Sequence, residues 1–219
     1  MGHLGSFTLL VRIRVVSSTR NPWLSRPDSV EVQRPEVLEG QLPPATGPQT
    51  PQSGVPVPSA DSLLPVRERT ASASLWWVGT HGGAGESSLA SLVDGWAEAG
   101  HSWPRPADGG PADVVLVART SMAGLRSAQA AATQWAAGRA GDANVLGLVL
   151  VADAPGKLPR PLRDFARLIS GGVPRTWSIP WIEAWRVGDA PTSDIPRDLR
   201  RLLDDLNRLT RTAASAADK

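Results

Sequence analysis

A glycine-rich turn, His81-Gly82-Gly83-Ala84-Gly85-Glu86-Ser87-Ser88, constrains the fold of this chain more than any other segment. It follows a short apolar run, residues 75–78, and precedes a segment in which apolar residues recur at helical spacing. A strand that enters a helix through glycines exposes several backbone N–H groups in one concavity, and such a concavity attracts anions. The turn therefore predicts an α/β domain with a corner that resembles a phosphate-binding loop.

Strand-like and helix-like segments alternate on both sides of this turn. The predicted strands are residues 75–78, 114–117, 145–152 and 176–179, and the predicted helices are 86 to about 99, 121 to about 137, 161–170 and 196–213. Strands that are apolar on both faces and alternate with amphipathic helices form parallel sheets covered on each side. We therefore expect a parallel sheet of about four or more strands flanked by helices over residues 73–213, followed by a flexible tail at 214–219.

The turn resembles the deviant Walker A loop of the ParA/MinD-type (SIMIBI-class) P-loop ATPases, which reads Lys-Gly-Gly-x-Gly-Lys-[Ser/Thr]-[Ser/Thr]. His81 and Glu86 stand where that family has its two lysines. The other family positions match at Gly82, Gly83, Gly85, Ser87 and Ser88, with Ala84 at the variable place. The resemblance implies a P-loop NTPase-like fold in which residues 82–88 are a vestigial phosphate loop.

The resemblance continues downstream in Ala112-Asp113-Val114-Val115-Leu116-Val117 and in Val145-Leu146-Gly147-Leu148-Val149. The family normally fits two strands and its switch segment between the loop and the first of these stretches. Only about 25 residues fill that interval here, so we expect a reduced version of the fold without the segment that positions attacking water.

Glu86 changes the charge at the phosphate-contacting position by two units relative to the family lysine. Unit charges about 4 Å apart interact by about 4 kcal/mol at an effective dielectric of about 20, so nucleotide affinity should fall by orders of magnitude. A carboxylate in a first helical turn is also favourable for the helix, and it could fold back onto the N–H groups of the turn. The sequence predicts a non-catalytic pseudo-ATPase without a cofactor, acting as an interaction or regulatory module. The family suggests plasmid partition, conjugation or secretion as its setting.

Two alternatives remain open at the level of sequence. Asp153 ends a strand in an Asp-x-x-Gly pattern, which in P-loop proteins lies near magnesium and in other proteins is simple turn chemistry. A weak ATPase that uses ATP and Mg²⁺ is therefore the first alternative. The arginine-rich composition, with a pI near 9.9, makes a nucleic-acid-associated protein the second. No catalytic residue and no metal ligand is assigned.

Tryptophan is unusually frequent, with nine residues and no tyrosine. Trp177, Trp181 and Trp185 recur at intervals of four, and Arg186 follows them. Tryptophan and arginine are enriched at binding hot spots, and tryptophan also stacks on bases. The cluster predicts plain core packing, a protein-partner surface or a nucleic-acid surface.

Proline marks the region before the domain, since ten of the 20 prolines lie between residues 21 and 72. Such composition favours extended, hydrated chain over packed structure. We expect residues 1–72 to be a disordered arm, in which Asn21-Pro22-Trp23-Leu24 could serve as a docking peptide. No stretch is apolar enough to span a bilayer and cysteine is absent, so a cytoplasmic location is expected.

Overall fold

A computed structural model describes residue 42, residues 44–186 and residues 195–217. The side chains of Arg186 and of residues 212–217 are outside that description. The chain divides into two compact units, Met1–Gln41 and Leu42–Lys219, and every described residue belongs to the second.

The second unit alternates strands and helices along the chain. Its strands are β1 (Val66–Arg69), β2 (Leu75–Gly79), β3 (Trp96–Gly100), β4 (Trp103–Pro106), β5 (Ala112–Arg119), β6 (Ala143–Val151) and β7 (Thr176–Ile179). Its helices are a 3-10 turn (Ala60–Ser62), α1 (Glu86–Ala90), α2 (Met122–Ala136), α3 (Arg160–Ser170), α4 (Glu183–Arg186) and α5 (Arg197–Ala217). No helix in the described part of the chain combines the length and apolarity needed to cross a membrane.

Five strands form the main sheet in the order β3-β2-β5-β6-β7, and every neighbouring pair is parallel. The predicted fold class, a parallel sheet flanked by helices, is confirmed. The chain leaves β2 toward one edge to form β3 and then returns past β2 to form β5. No local pattern in the sequence indicates this reversal, which places a topological switch point at the carboxyl ends of β2 and β5.

Side-chain alternation along β2 joins the two halves of the core. Trp76 and Val78 pack with α2 and α3 on one face, whereas Leu75 and Trp77 pack with α1 and α5 on the other. All four side chains are at most 2% exposed. Because the sheet is buried on both faces, its strands read as continuous apolar runs.

The helix expected to run from residue 86 to about 99 ends at Ala90, and β3 begins at Trp96. Helical spacing continues through Leu92, Val93 and Trp96. The backbone at Gly95, however, has a φ of 84°, a left-handed conformation that suits glycine and cannot lie inside a right-handed helix. Trp96 then packs on Trp77 from the neighbouring strand, with ring centroids 5.7 Å apart. After β3, the strand β4 pairs with β1 in a separate two-stranded parallel sheet.

Residues 44–72 lie against the domain, so the expected disordered arm of residues 1–72 is corrected from residue 44 onward. The Thr46 N–H donates to the Pro174 carbonyl at 2.9 Å, and the Gln52 N–H donates to the Ala136 carbonyl at 2.8 Å. Residues 1–41, with the suggested docking peptide, lie outside the described residues. At the other end, the backbone of α5 continues through residues 214–217, where a flexible tail was expected.

Gln134 of α2 clamps this N-terminal segment to the sheet domain. Its Oε1 accepts from the Leu64 N–H and its Nε2 donates to the Leu64 carbonyl, both at 2.8 Å. The same Nε2 donates to the Arg139 carbonyl at 2.9 Å. Gln134 is 3% exposed, so its amide group is buried.

We expect Gln134→Ala to lower the free energy of unfolding by about 2 kcal/mol, because buried backbone groups lose their partners. Denaturant unfolding followed by circular dichroism measures this change. Gln129→Ala is the matched control, since Gln129 is exposed on the same helix. Equal stability of the two variants would contradict a stabilising role for the Gln134 hydrogen bonds.

Candidate functional site

The carboxyl ends of β2, β5 and β6 meet at one edge of the main sheet. The glycine turn follows β2, Thr120 and Ser121 follow β5, and Asp153 follows β6. In open parallel sheets, ligands bind outside the carboxyl ends of the strands at a topological switch point. This edge is therefore the candidate functional site.

The glycine turn adopts a conformation that only glycine tolerates at two positions. Gly83 has a φ of 73° and Gly85 a φ of 108°, both in the left-handed region. Ala84 between them is fully buried in the core beneath α1, whereas Gly82 and Gly83 are exposed. The turn thus presents Gly82 and Gly83 to solvent and anchors itself through Ala84. Of the two serines that end the motif, Ser87 is exposed and Ser88 is half-buried.

Glu86 points inward and is 7% exposed. Its Oε2 accepts a hydrogen bond from the Gly85 N–H at 3.0 Å, and its Oε1 lies 3.3 Å from His101 Nε2. A Cβ atom on Gly79 would come within 2.5 Å of the Glu86 Cδ, so the carboxylate occupies the space that glycine leaves free. The carboxylate has folded back onto an N–H group of its own turn.

His81, at the first lysine position of the resemblance, ties the turn to β5. Its Nε2 accepts from the Arg119 N–H at 3.0 Å, and its Nδ1 lies 2.9 Å from the Gly82 carbonyl. A carbonyl can only accept, so Nδ1 carries the proton and the imidazole is neutral. His81 therefore acts as a structural brace in this arrangement.

Arg119 is the cation at this edge, and sequence reasoning did not single it out. Its Nε donates to the Gly83 carbonyl at 3.2 Å, and its Nη1 donates to the Ala152 carbonyl at 3.0 Å. The side chain therefore joins the glycine turn to the end of β6. An arginine as the last residue of a buried strand, at the carboxyl edge of the sheet, is the signal that could have identified it.

An open cavity of about 440 Å³ lies beside the turn. Its polar side consists of the turn, the end of β5 and the residue after β6, and its apolar side consists of residues around α4. The lining residues are His81, Gly82, Gly83, Arg119, Ser121, Asp153, Trp181, Ile182 and Trp185. The structure thus brings Asp153 to Gly82 and Gly83, whereas Glu86 is turned away into the interior.

Asp153 is exposed, and its backbone N–H donates to Thr120 Oγ1 at 3.1 Å. In the described part of the chain, no group of three or more histidine, aspartate or glutamate side chains is placed to hold a metal ion. Asp153 is therefore a single carboxylate at the cavity rim.

The predicted tryptophan surface separates into a buried and a cavity-lining part. Trp177 is 6% exposed, and its Nε1 donates to Asp205 Oδ2 at 3.0 Å, so its place on a partner surface is corrected to the core. Trp181 and Trp185 are half-buried in the cavity wall, with Trp181 Nε1 donating to Glu183 Oε2 at 2.6 Å. Arg186 ends α4, and its side chain is outside the description.

Asp113, part of the downstream resemblance, lies at the amino end of β5 and hence at the opposite edge of the sheet. Burial raises the pKa of its carboxyl above the ordinary 3.8, and the hydrogen bond that Asn144 Nδ2 donates at 2.7 Å opposes part of that rise. This carboxyl takes no part in the candidate site.

The fold and site together define a doubly wound α/β protein with a glycine turn, a buried acidic residue after it and an arginine-braced cavity. The chain belongs to the family of unknown function DUF6668, whose family model matches residues 73–203. No curated protein and no solved structure matches the chain.

The position of the Glu86 carboxylate can be tested by a double-mutant cycle with Gly79. We expect Gly79→Ala to destabilise the protein by about 1–3 kcal/mol, because the new methyl group collides with the carboxylate. In the Glu86→Ala background the same change should cost clearly less. Gly82→Ala, which meets nothing within 4 Å, is the control and should be close to neutral. Additive effects of the Gly79 and Glu86 changes would place the carboxylate elsewhere.

Asp113 gives a prediction of pH dependence. Because its pKa is higher in the folded than in the unfolded state, stability decreases as the pH rises from 3.8 through the folded pKa and then levels off. Asp113→Asn keeps an oxygen for Asn144 and removes the buried charge. The variant should therefore gain stability over the wild type with increasing pH, measured by urea unfolding between acidic and neutral pH. A difference that does not change with pH would argue against the raised pKa.

Proposed function

We propose that this protein is a non-catalytic, ParA/MinD-like P-loop domain that acts as an interaction or regulatory module. The observation that carries the proposal is the buried Glu86 carboxylate, which accepts the Gly85 N–H at 3.0 Å. An internal anion on a turn of this kind competes with an external phosphate for the same donor. Plasmid partition, conjugation and secretion are the settings that the resemblance suggests.

The surroundings of Glu86 support the same proposal. Neither family lysine position of the turn carries a cation, since His81 is neutral and Glu86 is acidic. The following helix, α1, has only five residues, so its dipole adds little attraction for a triphosphate. Arg119 is near, but two of its nitrogen atoms are already bound to backbone carbonyls. Among the described lining residues, the only arginine or lysine that a triphosphate would meet is Arg119, which is already partly engaged.

The connection between the turn and β5 is fuller than the sequence predicted, because it contains two strands. Between β2 and β5 the chain forms α1, β3 and β4, and β4 pairs with β1 outside the main sheet. The family places its water-positioning segment in this interval. No described side chain in the cavity pairs a nucleophile with a base, which supports a binding role over hydrolysis.

One observation favours the alternative of a weak ATPase. Asp153 lines the same cavity as Gly82 and Gly83, as a magnesium-associated aspartate would. Under this alternative, ATP and Mg²⁺ are the cofactors. Nucleic-acid association stays a prediction based on the arginines, and the burial of Trp177 removes one ring from the surface that would stack on bases.

Nucleotide titration of charge variants tests the proposal. We expect the wild type to show no ATP or GTP binding at millimolar nucleotide with Mg²⁺, and Glu86→Lys to gain measurable binding. The reason is that reversal of a unit charge near a phosphate changes the interaction by several kcal/mol, with about 4 kcal/mol per pair at an effective dielectric of about 20. Isothermal titration calorimetry measures the affinities.

Glu98→Lys is the matched control, because Glu98 is an exposed glutamate on β3 outside the cavity and its reversal changes the net charge equally. A thermal melt of each variant establishes that it is folded. Micromolar ATP binding by the wild type would favour the ATPase alternative. If the folded Glu86→Lys variant bound no nucleotide, Glu86 would not be the reason that the wild type excludes nucleotide.

A further inference from the structure

We infer that the cavity beside the glycine turn binds a small organic acid, with one carboxylate held at Arg119 and an apolar body against Trp181, Ile182 and Trp185. The cavity volume of about 440 Å³ accommodates such a molecule. Ligand sites typically combine an apolar wall with a few polar groups in a space of about 300–1,000 Å³. Both features occur here at the switch point of the sheet.

Arg119 supplies the reason for an anionic ligand. Its side chain is half-buried, and no carboxylate of the described residues lies within ion-pairing distance of it. Its Nε and Nη1 are bound to carbonyls, which fixes the guanidinium plane, and Nη2 has no hydrogen-bond partner among the described residues. A half-buried cation without a counter-ion is stabilised by an anion that enters the cavity. Guanidinium groups match carboxylates in geometry.

The glycine turn provides further donors on the same side. Gly82 and Gly83 are exposed and line the cavity, and their N–H groups donate to no described residue. The adjacent Gly85 N–H is taken by Glu86, so the donors left in this part of the turn are the Gly82 and Gly83 N–H groups. A carboxylate in this cavity therefore shares it with two glycines whose N–H groups donate to no described residue.

Asp153 limits the charge of the ligand. Its carboxylate lines the same cavity and is not paired with Arg119, so the described lining residues include one arginine and one carboxylate. A singly charged acid leaves less repulsion at Asp153 than a phosphate dianion or a polyphosphate does. The apolar wall of Trp181, Ile182 and Trp185 then selects a ligand with a ring or branched hydrocarbon body.

This inference deepens the proposed function, because an organic acid is the signal to which a regulatory module without nucleotide binding would respond. The two can fail separately. Nucleotide titration of Glu86 variants tests whether the glycine turn lacks nucleotide binding. The titration below uses neither a nucleotide nor a Glu86 variant.

The probes are 3-phenylpropanoate, the uncharged 3-phenylpropanol and the dianion phenyl phosphate, each titrated into the full chain at neutral pH by isothermal titration calorimetry. We expect the carboxylate to bind with millimolar affinity or better, and each of the other two to bind at least about ten-fold more weakly. No carboxylate binding up to about 10 mM, or equal binding of the alcohol, would overturn the inference. If phenyl phosphate bound more tightly than 3-phenylpropanoate, the inference that the cavity prefers a singly charged ligand would be overturned.

Two variants with opposite expected effects locate the binding. Arg119→Gln should weaken 3-phenylpropanoate binding by about ten-fold or more, and Asp153→Asn should strengthen it several-fold. Arg126→Gln and Asp94→Asn remove the same charges at exposed positions outside the cavity and should change nothing. Since Asp153 is exposed, its variant keeps the fold even if loss of the Arg119 brace disturbs the turn. Unchanged affinity in Asp153→Asn together with unchanged affinity in folded Arg119→Gln would place the ligand elsewhere.

Discussion

Burial of the central strands on both faces is the constraint on which this structure depends. The strands β2, β5 and β6 carry apolar side chains on each side, so helices must cover the sheet above and below. With both faces covered, polar side chains of these three strands reach solvent only at the strand ends. The glycine turn, Arg119 and Asp153 all lie at the carboxyl ends, and this is where the cavity opens.

The charges at that edge are arranged differently from those of the ATPases that the turn resembles. In the family loop that the turn resembles, the two cations are lysines of the loop itself. In this chain the turn carries a buried acid, Glu86, and the cation comes from the neighbouring strand as Arg119. The turn is therefore held to β5 and to the interior. The His81 ring and the Gly83 carbonyl accept hydrogen bonds from Arg119, and the buried Glu86 carboxylate accepts one from the Gly85 N–H. This arrangement is the basis of our proposal that a small anion binds beside the turn and that no triphosphate binds within it.

The N-terminal region shows how composition and tertiary contacts compete. The proline-rich sequence before residue 72 lacks apolar periodicity, and its composition is typical of an extended chain. The domain nevertheless supplies partners for its backbone, above all the buried Gln134 at Leu64. A polar side chain in the middle of a predicted helix gave no sign of this role, since its partners are about 70 residues distant in sequence.

The sequence by itself determined the class of fold, the extent of α2, α3 and β7 to within a residue or two, and the position of the glycine turn between a strand and a helix. These features follow from local rules, namely apolar runs, helical spacing and the need for glycine at positive φ. Local rules failed after Ala90, where the helical spacing continues to Trp96 but the helix does not, and Trp96 instead begins β3 and packs on Trp77 of β2. Only the tertiary structure decided the strand order, the inward turn of Glu86, the burial of Trp177 and the meeting of Arg119 with Asp153 in one cavity. Each of these depends on which strands become neighbours, and that choice is made by packing between segments far apart in the chain.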